Sequence, residues 1–575
     1  ASGKFSYNVS TKTRDDLMRY GTTNPNVDAG PFGEKLFIGY YRKFDYSQPL
    51  AGGGYAISDE RRWTDNEFQG ERQKANYDNM LDGGFDKRLY YEFALNYEKS
   101  FGNNNLTLLG LMNRNETEGL VGSSATSLKF KENQEDYVYR ITYNWKEKYL
   151  FEHNAAYSGS QKFARGKRYQ YFPSFSFGWR LSEEPFVKDI TGSLFENLKL
   201  RYSWGKVGFH QSASAYTYLQ LYDNIGGNVS FGENEKTNYG PLYAEGKAAN
   251  ENATWETGNK QNLGLEMMIF NKLTATVDMY SEKRDGIIMT VATPAWFGIK
   301  EPDGNIGITK SRGLEFELGW NDKINKDWSY WIKANYSINE NRIVYRNDAA
   351  NLPEYLKLAG KPIGVINKLQ VNGYYQSLDD IYNYAVATNT STQNKLVPGD
   401  FMYLDYDANG TIDQVYDKIP MLYNSYPQNT YGATLGFRYK SFQVNAMFYG
   451  VINVYKDVDG LVLWDLSEGN SGNYFANPDV LNRWTPENAE NATKPSLHSD
   501  YRDYIMTSGT TYSFQDASYF RLKNLELAYD FSNKTLTKLG LKNVQVYANA
   551  NNLFTITKFN RQMDPEANSS GLYPL

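Results

Sequence analysis

The chain has 575 residues, 61 basic and 66 acidic side chains, and no cysteine. A net charge of −5 excludes a polyanion-binding surface spread over the whole molecule. The missing thiols exclude disulfide frameworks, thiolate zinc sites, iron–sulfur clusters and cysteine nucleophiles. Aromatic residues are the outlier, with 49 Tyr, 31 Phe and 11 Trp making 16% of the chain, and such a load argues against disorder. Three histidines (His153, His210 and His498) are too few and too scattered for a His-based metal site. Ala1 to Phe5 shows no apolar run behind a basic flank. No stretch reaches the ~20 consecutive apolar residues of a membrane helix, a filter that transmembrane β-strands pass unnoticed.

In chain order, residues 1–80 alternate weakly. Lys35–Phe44 is the best piece, and two or three early strands are expected there. Asp59–Arg62 reads as a surface charge run. From about residue 88 the period-two pattern is strong. His153 falls in a strand and reads as a lumen or packing residue. Pro173–Leu181 and Leu198–Trp204 are strands, and the connection between them is expected to hold a short helix at Asp189–Asn197. Neighbouring Glu183 and Glu184 point apart in an extended chain. They therefore mark a helix or turn start, not a catalytic carboxylate pair. Leu273–Tyr280, Trp328–Ile338, Tyr431–Lys440, Phe442–Tyr449 and Val544–Asn551 continue the pattern.

Alternation alone does not separate a lipid-facing barrel from a soluble sheet with one wet face. Connection lengths do. Residues 146–148, 270–272, 321–327 and 440–441 are short turns, whereas 117–135, 206–258, 284–311, 340–428 and 454–515 are long and polar. Short turns on one side and long loops on the other are the habit of outer-membrane barrels. An all-β transmembrane antiparallel barrel is the expected fold, with short turns on one rim and long loops on the other. Trp63, Trp255, Trp296 and Trp464 lie in loops, where they suit interfacial anchoring, loop packing or sugar stacking.

Several ordered stretches resemble one family. Tyr149–Glu152 leads through Gly159-Ser160 to Tyr171–Trp179 and Ser182–Phe186, followed by Leu198–Gly205. Trp255-Glu256-Thr257, Asn262–Glu266, Ser311–Glu315, Ala517–Asn524 and Asn551–Thr555 complete the series. In order and spacing over 88–575 they resemble the SusC/RagA-like branch of TonB-dependent outer-membrane transporters, nutrient importers of Bacteroidota. The resemblance implies a 22-stranded barrel. Residues 1–87 would hold early strands and loops, and 88–575 the main barrel portion. The plug, the TonB-contacting segment, the first strands and the closing strand would lie outside this sequence, because the last strand runs outward and Gly571–Leu575 reads as a loop.

One loop carries its own chemistry. Asp405, Asp407, Asn409, Thr411 and Asp413 follow the one-three-five-seven-nine grammar of a calcium loop, with Gly410 at the sharp turn. The twelfth position is Tyr416 instead of a bidentate carboxylate, and Asp417 follows one residue late. The family likeness adds a Pro398-Gly399-Asp400 element ahead of a comparable acidic loop. A structural calcium-like cation is the expected ligand, against the alternative of a plain polar turn.

No catalytic residue and no required cofactor are expected. The resemblance implies import of oligosaccharides or peptides, a SusD-like surface lipoprotein, TonB, and outer-membrane lipid as partners, with no nucleic acid. The rival reading is a secreted β-rich glycan-binding or glycoside-hydrolysing protein, which needs two carboxylates held across a cleft.

Overall fold

The computed structural model describes residues 2–12, 40–49, 55–62, 84–120, 128–192, 194–213, 216–231, 237–387, 396–423, 425–458, 478–497, 509–531, 540–541, 544–560 and 563–567. Trp63, Trp464, His498 and Gly571–Leu575 lie outside them.

Fifteen strands form one sheet in chain order: β1 (Ser2–Lys12), β2 (Gly84–Phe101), β3 (Asn104–Leu120), β4 (Leu128–Trp145), β5 (Tyr149–Ser160), β6 (Tyr169–Arg180), β7 (Phe195–Phe209), β8 (Glu256–Ile269), β9 (Leu273–Thr290), β10 (Asp303–Lys323), β11 (Trp328–Tyr345), β12 (Asn429–Tyr439), β13 (Phe442–Ile452), β14 (Tyr519–Asp530) and β15 (Gln545–Thr557). Every strand is antiparallel to its neighbours. Among the described residues, 40–49 and 55–62 pair only with each other, as a separate hairpin.

Register sorts the side chains onto two faces. The row Phe93, Met112, Tyr137, Tyr157, Tyr171 crosses β2 to β6 on one face. Leu265, Val277, Phe316, Tyr336 and Tyr431 continue that face across β8 to β12. The opposite face reads Arg201, Gly264, Asp278, Glu315, Ser337, Thr430 over β7 to β12. The apolar face is the bare one: Phe93, Leu95, Met279 and Leu318 are each more than half exposed. An apolar surface repeated across β2 to β6 and β8 to β12 has no place in water. It fits a lipid-facing wall around a polar interior, and the soluble glycan-active alternative falls with it.

Strict antiparallel order fixes the rims. The turns at 102–103, 146–148, 270–272, 324–327 and 440–441 all lie at one end, and the connections 210–255, 346–428 and 453–518 at the other. Tight turns demand left-handed backbone, and Lys146, Glu147, Phe270, Asn271 and Lys440 adopt it with φ of 52–54°. Several expected loops shrink. β3 and β4 run on to Leu120 and back from Leu128, and β9 and β10 reach Thr290 and Asp303. Register shifts at Thr117/Gly119 and Arg284/Ile287 break the two-residue period within these extensions although the ladder continues.

The helix at the short-turn rim is also displaced from expectation. A 3₁₀ turn at Leu181–Glu183 leads into Pro185–Thr191, not Asp189–Asn197. Pro185 presets the first helical φ, and Gly192 ends the helix in a conformation costly for other residues. Glu184, its N-cap residue, locks the rim. It pairs with Lys148 Nζ at 2.6 Å and accepts hydrogen bonds from the Tyr149 hydroxyl at 2.6 Å and Trp179 Nε1 at 2.9 Å.

Two outcomes follow from this arrangement. Phe316 lies midway up the lipid-facing wall, so Phe316→Arg should cost ~2–4 kcal/mol, while Glu317→Ala on the lumen side should cost far less. Urea titration of the barrel in bilayers, read by heat-modifiable gel migration, checks both; equal effects would show the faces wrongly assigned. The Lys148 ammonium, and after it the Tyr149 hydroxyl, hold the Glu184 carboxyl down from 4.5 to about 2. A group depressed in the folded state stabilises fully above its free value and loses that contribution as pH falls between the two. Amide protection over 146–149 and 181–191, corrected for intrinsic exchange, should therefore drop from pH 5 to pH 2.5, and Glu184→Gln should abolish the dependence. A flat wild-type profile would refute the lock.

Candidate functional site: a charged lumen beneath a packed cap

The inner wall is polar and internally neutralised. Arg201 pairs with Asp278 at 2.6 Å and Glu266 at 2.9 Å, and Lys199 reaches Glu266 at 3.4 Å. Arg140 pairs with Glu152 at 2.8 Å, and Asn154 donates to the same carboxylate at 2.6 Å. Large rings lie flat against the wall where a partner glycine leaves room. A Cβ on Gly436 would sit 2.0 Å from the Trp331 indole, and one on Gly313 2.2 Å from the Tyr280 ring. The wall thus offers hydrogen-bonding groups and aromatic faces to a polar solute.

The long loops above it are not loosely solvated. Described residues of 346–428, 453–518 and 558–567 share one hydrophobic core, centred on Leu369, Tyr375, Phe401, Tyr403, Val454, Val458, Ala517, Phe559 and Met563. Short ladders stiffen it. Ile366–Leu369 pairs with Lys418–Met421, Val371–Tyr374 with Phe401–Tyr403, and Tyr455–Asp457 with Phe514–Asp516. Ser377 and Asp380 form a reciprocal capping box on the helix Leu378–Asn383.

Buried charges fasten the cap to the barrel. Arg521 on β14 has no exposed surface, and its guanidinium grips Asp564 at 2.5 Å and Glu566 at 2.7 Å. Lys456 donates to the carbonyls of Pro565 and Ala567, each at 2.7 Å, so one acidic segment is held from two sides. Lys368 is likewise buried on Asp457 at 2.5 Å. None of these clamps was anticipated from sequence. The only signal was Arg521 inside the Ala517–Asn524 stretch, because its acidic partners lie 43 and 45 residues away.

The acidic loop lies within this cap. Asp405, Asp407 and Asp417 each offer a carboxylate oxygen within 4.8 Å of the others. That spacing matches oxygens on opposite sides of an ion with ~2.3–2.6 Å bonds. Burial raises the pKa of Asp417, and it accepts the Tyr406 and Asp413 amides at 2.7 Å. Asn409 donates from Nδ2 to Asp407 at 2.9 Å, and the Asp413 carboxylate is turned to its own backbone. The Asn409 amide oxygen accepts from Thr411 N at 2.8 Å, and Asp413 accepts from the amides of Val415 and Tyr416 at 2.6 Å. The residues fit a cation held by three carboxylates, with Asp417 in place of the absent twelfth-position ligand.

The remaining sequence candidates resolve individually. Trp255 is buried in a second loop core with Phe163 and Phe172, and its indole donates to the Arg168 carbonyl at 2.7 Å. The adjoining Glu256, fully buried, accepts the Ile288 amide at 2.9 Å and pairs with Arg284 and Ser212. Trp296 is 83% exposed on a 3₁₀ turn. His153 faces outward, stacked on Phe175 at 4.3 Å and hydrogen-bonded to the Tyr139 hydroxyl at 2.7 Å, so it packs the lipid-facing wall and not the lumen.

Known proteins share both sequence and fold. The TonB-dependent receptor P3 of Formosa agariphila is 29% identical over 516 residues, covering 83% of this chain and 48% of its own length. The TonB-dependent receptor SusC of Bacteroides thetaiotaomicron is 29% identical over 442 residues, 75% of this chain and 41% of SusC. The chain thus spans about half the length of the curated relatives it matches. No family model matches. Among solved structures, the RagAB peptide importer in its open-open state superposes with a TM-score of 0.64 at 20% identity, over 85% of this chain and 54% of that one. The RagAB peptide transporter gives 0.60 at 19% identity over 83% and 53%. These relatives are named as receptors and transporters, not enzymes. With its lipid-facing wall, polar lumen and one-sided loops, the chain is an outer-membrane β-barrel protein similar in sequence to TonB-dependent receptors, SusC among them, and in fold to the RagAB transporter.

Proposed function

We propose that the chain forms the barrel of a TonB-dependent importer that takes up oligosaccharides or peptides together with a SusD-like surface lipoprotein. The observation that carries this reading is a charged, ring-lined interior under a rigid cap confined to one rim. A solute too large for passive pores would be received at the cap and pass along the inner wall. Opening would be driven through TonB acting on a lumen plug at the short-turn rim. The relatives' names support the class: one is a SusC receptor, and the fold is shared with a peptide importer. No bond of the substrate is made or broken, so the wall supplies binding groups only.

The test uses the full-length protein in its native host. Affinity purification should recover a lipoprotein in stoichiometric amount, and deletion should abolish growth on one polymeric nutrient while sparing growth on its monomers. Unchanged growth on all glycans and peptides, with no lipoprotein recovered, would reject the reading.

Within the cap, we propose a structural calcium-like cation on Asp405, Asp407 and Asp417, with Asn409, Thr411 and Asp413 shaping the loop around it. A divalent ion would offset the repulsion among three crowded carboxylates and the burial of Asp417. Calcium should then slow proteolysis within 340–428 several-fold relative to chelator, and Asp407→Ala should remove that difference without altering barrel assembly. Equal cleavage of the unmutated protein in both conditions would reject the site.

A further inference from the structure

The outward face changes character abruptly near the long-loop end of β7 to β11. Lys206, Asn259, Lys283, Lys310 and Arg342 are direct register partners on five consecutive strands, so they form a single row. Four of the five are cations. Side chains so paired have Cβ atoms only ~4.5–5.5 Å apart, where like charges repel and weaken the sheet. Internal anions do little to relieve this. Lys283 pairs with Asp285 at 2.6 Å, while the side chains of Lys206, Lys310 and Arg342 make no ion pair with a described residue.

The rows below show what the cations border. Two residues closer to the membrane lie Trp204, Gln261, Ser281, Arg312 and Glu340, with Arg312 paired to Glu340 at 2.7 Å and still 77% exposed. The next row is Tyr202, Leu263, Met279, Leu314 and Ile338, entirely without charge. Those five residues line a groove of about 560 Å³ whose upper end is closed by Arg312 and Glu340. Lys283 lies ten residues along β9 from Leu273, and Arg342 fourteen along β11 from Trp328. At 3.3 Å per residue and a tilt near 40°, this puts the row ~25–35 Å above the short-turn rim. A lipid-facing band is ~25 Å tall, so the cations stand at the headgroup level of the outer leaflet.

We propose that this face binds a phosphorylated lipid of the outer leaflet, with headgroup phosphates on the Lys206–Arg342 row and one acyl chain in the groove beneath. The apolar groove is continuous with the lipid-facing wall, and the uncompensated charge above it is opposite in sign to a phosphate. A free inorganic phosphate would use the row but not the groove. An acidic protein partner would use the row and leave the groove to bulk lipid. The proposal rests on the outer-membrane assignment.

The test takes the full-length protein, extracted from outer membranes and reconstituted in nanodiscs with equal amounts of lipid A and its dephosphorylated form. Native mass spectrometry of the protein after detergent transfer should show at least a ten-fold preference for the phosphorylated lipid. Added salt should erode that preference, and inorganic phosphate at millimolar concentration should not displace the lipid. Lys310→Ser with Arg342→Ser should reduce the preference to less than two-fold while heat-modifiable migration stays normal. If that double variant does not assemble, Lys310→Gln alone should lower the preference at least three-fold. Equal retention of both lipids by the unmutated protein would overturn the proposal. So would loss of a protein partner from the variant with lipid preference intact. Recovery of the unmutated protein in the soluble fraction would instead overturn the outer-membrane assignment.

Discussion

In a bilayer no water is present to accept a backbone N–H, and each unsatisfied group costs several kcal/mol. Every other feature of this molecule depends on that constraint. A chain that cannot leave polar backbone unpaired must pair each strand with the next, and nearest-neighbour antiparallel pairing is the arrangement observed over all fifteen strands. Once pairing is strict, the two-residue period of the side chains assigns every residue to lipid or lumen. It also assigns every connection to one rim or the other. The apolar wall, the charged interior and the one-sided cap are three consequences of one requirement.

The two ends of the barrel solve different problems with the same chemistry. At the short-turn rim, turns of two to four residues need little beyond left-handed backbone, and one buried carboxylate, Glu184, ties the 146–148 turn to the helical connection at 181–191. At the other rim the connections are long, and a loop as long as 346–428 cannot be held by its ends alone. It acquires its own hydrophobic core and buried ion pairs. Arg521 and Lys368 sit almost without solvent, where an unpaired charge would be strongly destabilising. Their value lies in geometry as much as energy, since a guanidinium gripping two carboxylates fixes the angle at which the 563–567 segment meets β14.

Sequence alone read the barrel and its sidedness well because both are written in local patterns. Alternation at Trp328–Ile338 or Phe442–Tyr449 spans ten residues and needs no distant partner to be recognised. The strand extensions of β3, β4, β9 and β10 were missed for the same reason. A bulge shifts the register at Thr117/Gly119 and at Arg284/Ile287, so the local alternation that reveals a strand is interrupted there. The helix was placed four residues late because Pro185 at its first position was outweighed by the polar run that follows. The acidic loop was legible from its spacing, yet spacing did not separate Asp417, which joins the cluster, from Asp413, which turns to cap its own backbone. The clamp around Arg521 was beyond reach, since nothing near Arg521 in sequence announces Asp564. Some family-like stretches acquire a reason only in three dimensions. In Trp255-Glu256-Thr257 the ring fills a loop core and the carboxylate satisfies the Ile288 amide. In Asn551-Asn552-Leu553 a left-handed Asn552 absorbs the bulge opposite Leu522–Asn524.

Register also locates the upper edge of the membrane, which hydropathy blurs. Along any single strand the passage from lipid to water is gradual: β10 reads Phe316, Leu314, Arg312, Lys310 on its outward side, and one cation more or less is unremarkable. Read across β7 to β11 the same passage is a step, from a wholly uncharged row to a row of four cations two outward-facing rows higher. A lysine in the uncharged row would meet hydrocarbon, at a cost that grows toward the midplane. A leucine in the cationic row would meet headgroups and gain nothing. The step is therefore where the solvent changes, and it lies above Tyr202 within the uncharged row and Tyr336 in the row below it, aromatic side chains placed in the manner of an interfacial girdle. Strand tilt carries the row obliquely across the wall, so different strands cross the boundary at different distances from their turns. That is the physical reason no fixed strand length, applied to the sequence, could have drawn it.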